Sequence, residues 1–142
     1  MSEQNFRNHA RYVPAYHFLT SVAILALLVG SFINLAHSAP ENLYSASLIC
    51  LIALILVALF WFARSFALKA QDRAIRAEEN LRYFILTGKR LPLSIRMSQV
   101  IALRFASDEE FPVLVERTVT ENLRARDIKQ AIANWRADHH RA

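Results

Sequence analysis

Residues 43–86 read LYSASLICLIALILVALFWFARSFALKAQDRAIRAEENLRYFIL, and the fold turns on this stretch. It opens as an apolar run and meets its first charge at Arg64. It then continues as a charged pattern with no Gly or Pro until Gly88. Without a helix breaker it reads as one long helix. The first half has the roughly 20 residues needed to cross a hydrocarbon core about 30 Å thick. The second half has the charges of a helix in water. At about 1.5 Å per residue the whole is roughly 65 Å long, with about half outside the lipid. Gly88 suits a C-cap, Lys89 and Arg90 sit where the helix dipole favours cations, and Pro92 completes the stop.

Working outward, the 142 residues are 54% apolar and 20% charged, and the apolar residues concentrate in two uncharged runs, 18–35 and 48–63. A soluble helical protein would break such runs with a polar face. Residues 1–15 form a polar N-terminal segment whose Pro14 sets the start of a first span at Ala15 or Tyr16. The expectation is a transmembrane hairpin over 16–64, with spans at about 16–36 and 43–63. The turn at 37–42 holds Pro40 and Asn42. So short a connection makes the spans antiparallel and touching. A cleaved signal peptide over 1–38 is the rival, with Ala36-His37-Ser38 resembling a cleavage site. Its apolar region is too long and its basic residues stand too far back.

Charge gives the orientation. Arg7 and Arg11 precede the first span, no Lys or Arg lies in the turn, and the other 15 of the 17 follow from Arg64 onward. Both termini are therefore expected in the cytoplasm. Tyr12, Tyr16 and Phe18 on span one, and Phe60, Trp61 and Phe62 on span two, would mark that interface, with Tyr44 on the other side. A turn centred near Pro40 brings Ala26 opposite Ala53, Gly30 opposite Cys50 and Asn34 opposite Ala46. Small residues permit the close approach that drives helix pairing in lipid. Asn34 is within reach of Ser45 or Ser47. Cys50 is the only cysteine, so no intrachain disulfide forms.

Beyond the lipid, over the stalk at 64–88, Ala63, Ala67, Ala70, Ala74, Ala77, Leu81 and Phe84 recur at spacings of four and three. This is a heptad seam. So thin a seam needs a close partner helix, from another subunit or from the tail. Arg64, Lys69, Arg73 and Arg76 are placed to meet anionic headgroups. The tail, 91–142, reads as three short helices: one over 94–106, one opened by Ser107-Asp108-Glu109-Glu110 as a capping box, and one from about Ala125 carrying Ile128, Ala131, Ile132 and Trp135. The second shows one face in Phe111, Leu114, Val115, Thr118, Val119 and Asn122. Some 50 residues without disulfide or metal bury little alone, so the tail folds on the stalk, another subunit or the membrane surface.

Chemistry is sparse. His17 and His37 stand at opposite ends of span one, and His9, His139 and His140 lie near the termini, so no metal or haem set assembles and no cofactor is expected. With only Gly30 and Gly88 there is no phosphate loop. Asp108, Glu109 and Glu110 read as a capping cluster, and no Ser-His-Asp set can be built. Neither span carries an ionisable group at depth, against ion-coupled transport. The net charge of +5 is spread around helices with no nucleic-acid signature.

Three stretches carry a resemblance. They are Asn5-Phe6-Arg7-Asn8-His9-Ala10-Arg11-Tyr12 with Pro14 and His17, the run from Ala102-Leu103-Arg104-Phe105-Ala106 through Phe111, and Ile128-Lys129-Gln130-Ala131-Ile132 with Trp135 and Asp138. They resemble a functionally uncharacterised family of small bacterial two-span membrane proteins. The resemblance implies a bacterial inner membrane and brings no catalytic residue. The expected fold is an all-α membrane protein: a two-helix hairpin, its second span extended into a cytoplasmic stalk, then three short cytoplasmic helices. The expected function is non-enzymatic, a scaffold or accessory subunit partnered by the bilayer and by its own copies or a larger membrane complex, with no nucleic acid. The alternative is an oligomeric pore or mechanosensitive-type channel. Against it, the outer loop is short and span one has no sustained Gly/Ala stripe. A lipid-handling enzyme is a third possibility, with no residues to carry it.

Overall fold

The computed structural model describes residues 13–137, and the stretches 1–12 and 138–142, with His9, Asp138, His139 and His140, lie outside it. The described chain is all-helical, with five α-helices and no strand: α1 Ser21–Ala36, α2 Leu43–Thr87, α3 Met97–Leu103, α4 Phe111–Thr120 and α5 Ala125–Ala131. It separates into two compact units, and the boundary falls inside α2 between Phe66 and Ala67.

In the first unit, α1 is preceded by a π-helical turn, Ala15–Thr20, directly after Pro14. The Thr20 hydroxyl donates to the Ala15 carbonyl at 2.9 Å, which helps hold this wide turn. Pro14 has no amide hydrogen and is tolerated only at such a helix start. A 3₁₀ turn, Pro40–Asn42, joins α1 to α2, closed by the Asn42 amide donating to the Ala39 carbonyl at 2.9 Å. The Ala15–Ala36 helical stretch and α2 are each long and apolar enough to cross a membrane. Their large apolar side chains are mostly exposed, Leu19, Val22, Leu25, Leu51, Ile52 and Trp61 among them. Within this chain, then, most of their apolar surface is left uncovered.

The second unit is built on α2 from Ala67 to Thr87. Gly88 ends the helix in the left-handed conformation (φ +71°), its amide donating to the Phe84 carbonyl at 2.8 Å. The tail core gathers Leu91, Ile95, Val100, Leu103, Phe105, Phe111, Val115 and Ile128 around Ile75 and Tyr83 of α2. At ~25 cal/mol per Å2 of apolar surface, these α2 side chains supply burial that three short helices lack.

Local chemistry sets the helix limits. α3 starts at Met97, later than the expected 94, because Arg96 is extended and its amide donates to the Gln99 carboxamide oxygen at 2.7 Å. Gln99 also donates to the Leu123 carbonyl at 2.8 Å. Before α4, the Ser107 carbonyl accepts the Phe111 amide at 3.0 Å, and Pro112 takes an early position where no amide is needed. α4 stops before Asn122, which turns left-handed at φ +50°. There its carboxamide oxygen accepts from Arg96 at 3.0 Å, so Asn122 is a helix terminator and not part of the helical face.

α5 is shorter than its periodicity suggests. It ends at Ala131, Ile132 is extended, and Trp135 forms an isolated antiparallel bridge with Ala106. The Ser107 amide donates to the Asn134 carbonyl at 3.1 Å, and the Arg136 amide to the Phe105 carbonyl at 2.7 Å. The Glu110 carboxylate accepts from the amides of Ala133 (3.2 Å) and Asn134 (3.0 Å). These bonds outbid one further helical turn. They lay the Trp135 ring 5.2 Å from that of Phe105.

Candidate interaction surface

Helix α2 beyond Ala67 has two unlike faces. Ile75, Glu79 and Tyr83, four residues apart, form the face buried beneath the tail. Arg82 clamps that contact and is itself only 10% exposed in its side chain. Its guanidinium donates to Glu79 at 3.1 Å, to Asp108 at 2.7 Å and to the Ala106 carbonyl at 2.7 Å. It also lies 4.4 Å over the Phe111 ring, which meets Tyr83 edge to face. Arg has the planar fork such a site requires. Burial pushes the Glu79 carboxyl up from its ordinary range, and the nearby Arg82, Arg136 and Arg104 only partly offset this. A groove of about 360 Å3 beside the clamp is lined by Glu78, Leu81, Ile85, Asp108 and Arg136 among others.

The other face is open. Ala67, Ala70, Ala74 and Ala77 are exposed, and so are Leu81, Phe84 and Ile85. Ala70 and Glu79 are nine residues, or about 2.5 turns, apart, so the alanine seam lies on the side opposite the buried face. The tail is therefore not the partner of the seam. Beside its end, Leu93 is 95% exposed. Together with Asn80, Leu81, Phe84, Arg90, Leu91 and Pro92 it lines a groove of about 810 Å3.

The basic residues proposed for headgroups divide. Lys69 and Arg73 are exposed and Arg64 is half-buried, while Arg76 donates to the Ile95 carbonyl at 3.2 Å and so ties α2 to the tail.

In the first unit, Ala46, Cys50 and Ala53 are buried, and Ala63 is exposed. On α1 the buried residue is Ser31, whereas Ala26, Gly30 and Asn34 are exposed. The Cys50 thiol donates to the Ser31 carbonyl at 3.1 Å. The facing register is thus displaced by one residue from the pairing expected around Pro40, and one residue rotates a helix by about 100°. A Cβ on Gly30 would meet nothing within 4 Å, so its smallness is not what lets α2 approach. Ser45 and Ser47 hydroxyls donate to the carbonyls of Asn42 and Tyr44, on their own strand of chain, and not to Asn34. The Tyr16 hydroxyl reaches the Phe60 carbonyl at 3.1 Å while the two rings stack 4.6 Å apart.

Sequence reasoning missed the Glu79–Arg82–Asp108 clamp and the buried Ile75–Tyr83 line. Its signal was present as two large apolar residues eight apart with an acid midway. Among the described residues no three or more His, Cys, Asp or Glu come together to hold a metal ion. A family model described as a family of unknown function (DUF6526) matches residues 1–142. No curated protein and no solved structure matches the chain.

Proposed function

The chain belongs to the family of unknown function DUF6526, a membership that carries no activity with it, and we propose that it is a non-enzymatic integral membrane protein working as a scaffold or accessory subunit through its water-side helices. The observation that carries this reading is the division of α2 into a tail-covered face and an uncovered apolar face at Ala70, Ala74, Ala77, Leu81 and Phe84. Exposed apolar surface of this kind on a soluble unit marks an interaction site. Membrane insertion is supported by two helices of sufficient length whose apolar side chains face outward. The distribution of Lys and Arg favours a cytoplasmic placement of both ends, and a bacterial inner membrane is the setting that the sequence resemblance implies.

Two measurements test the reading. Alkaline carbonate extraction should leave the full chain in the membrane pellet, and release into the supernatant would defeat the membrane reading. A pull-down of the native-level protein in mild detergent should recover a reproducible partner, or further copies of the chain itself. A protein that purifies alone and monomeric would defeat the scaffold reading.

A further inference from the structure

We infer that the open face of α2 pairs with the same face of a second copy of this chain, parallel and in register, with Arg73 of each copy against Glu78 of the other. This rests on the membrane reading above, because insertion with one orientation makes two copies of α2 run the same way. An alanine stripe alone says nothing of what covers it. Two other features of the helix select the occupant.

The first is charge placement. Spacings of three and four put Ala67, Ala74 and Leu81 at heptad position a, and Ala70, Ala77 and Phe84 at d. Arg73 then falls at g and Glu78 at the e position five residues later. Both are exposed. In a parallel two-stranded coil, g of one helix faces the following e of its partner, so the symmetric pair forms two Arg73–Glu78 contacts across the interface. An antiparallel pairing would set Arg73 and Glu78 against other positions, as g then meets g and e meets e.

The second is the groove at the end of the face. By the same rule Asn80 at g faces the other copy's Ile85 at e. Ile85 is exposed in its own chain. The side it would enter is the groove lined by Asn80, Leu81 and Phe84, with Leu91, Pro92 and Leu93 on its wall. One operation thus covers two exposed apolar features, Ile85 and Leu93, that a lone chain leaves in water. The small residues Ala67, Ala70, Ala74 and Ala77 permit close spacing, about 8 Å between axes, at the Arg73–Glu78 level, while the larger Leu81 and Phe84 supply apolar contact at the groove end.

The experiment uses the full chain in native membranes with Cys50→Ala. Single cysteines at Ala70→Cys and Ala77→Cys should form disulfide dimers under mild oxidation, while Val113→Cys, exposed on α4, should not. Arg73→Glu or Glu78→Arg should each reduce dimer formation about tenfold, two like-charge contacts replacing two pairs. The double swap should restore it. Ile85→Glu should abolish it. Equal crosslinking at 70, 77 and 113, or monomers throughout, would overturn the inference, as would failure of the double swap to rescue. If cysteines at 70 and 77 join the chain to a different protein, homotypic pairing falls while the scaffold reading survives. If the chain is extracted by carbonate, the membrane reading falls, and the parallel pairing that rests on it falls with it.

Discussion

Replacing Arg82 by Met keeps an apolar stem but removes the guanidinium that joins α2 to the tail. Glu79 would stay buried, with a side chain only 8% exposed, and without its nearest cation. Breaking a buried pair by removing one partner costs about 3–5 kcal/mol. Because burial already favours the protonated Glu79 carboxyl, proton uptake limits the loss, and about 3 kcal/mol is expected. Asp108 adds little to that figure, since its side chain is 61% exposed and such contacts contribute about 0–1 kcal/mol. At 1.36 kcal/mol per decade, tail amides that exchange through local opening should exchange about 150-fold faster. Hydrogen exchange by mass spectrometry on the detergent-solubilised full chain reads this, at α3 and α4, with α1 as internal reference. The double variant Glu79→Met/Arg82→Met removes both members of the pair, so no carboxylate is stranded and exchange should rise only about tenfold. Acceleration below fivefold in the single variant, or equal acceleration in both, would refute the argument that a stranded carboxylate sets the cost.

The raised Glu79 carboxyl makes the folded tail bind more protons than the unfolded chain between the unfolded value and the higher folded one. Protection should therefore gain from Glu79 as pH falls through that window, and Glu79→Gln should erase the gain. Glu109, lowered by its own backbone amide and by Ser107, and Glu121, lowered by Arg117, act in the opposite sense and lose their contribution under acid, so the comparison with Glu79→Gln isolates the buried group. Gly88→Ala meets no atom within 4 Å but must hold φ +71°, so it should cost about 1 kcal/mol, seen as roughly fivefold faster exchange confined to the last turn of α2. In the hairpin, Ser31→Leu should weaken the α1–α2 contact, and Gly30→Leu should be tolerated. Protease resistance of the detergent-solubilised chain should distinguish them, and equal sensitivity would contradict the Ser31–Cys50 register.

The elements most legible in the sequence are those with strong punctuation. α2 needed only an unbroken helical run and Gly88, and its limits follow from these. The start of the helical stretch before α1 follows from Pro14. The face of α1 was less legible, because the 37–42 turn fixes how far each helix is rotated and sequence gives only its approximate centre. Ser31 in place of Gly30 is a single-residue difference that redirects the whole face. Trp135 looked helical by spacing, but the Glu110 carboxylate and the Phe105 carbonyl offered its segment better hydrogen bonds than another turn would. Glu79 was hidden for a different reason: a charged residue in a basic, alanine-rich helix reads as solvated. It is the overlying tail that buries it, and Arg82, three residues on in the same helix and stacked on Phe111, makes that burial tolerable.

The bridge between Ala106 and Trp135 also has a meaning in time. Chains emerge from the ribosome N-terminus first, so both apolar helices are made long before residue 135. Phe105 and its neighbours are synthesised with their final cover still some 30 residues away, as the interval from Ala106 to Trp135 requires. The second unit therefore closes only after residue 135 has been made. A nascent chain arrested before residue 133 should expose this core to protease, while the same chain released at full length should protect it.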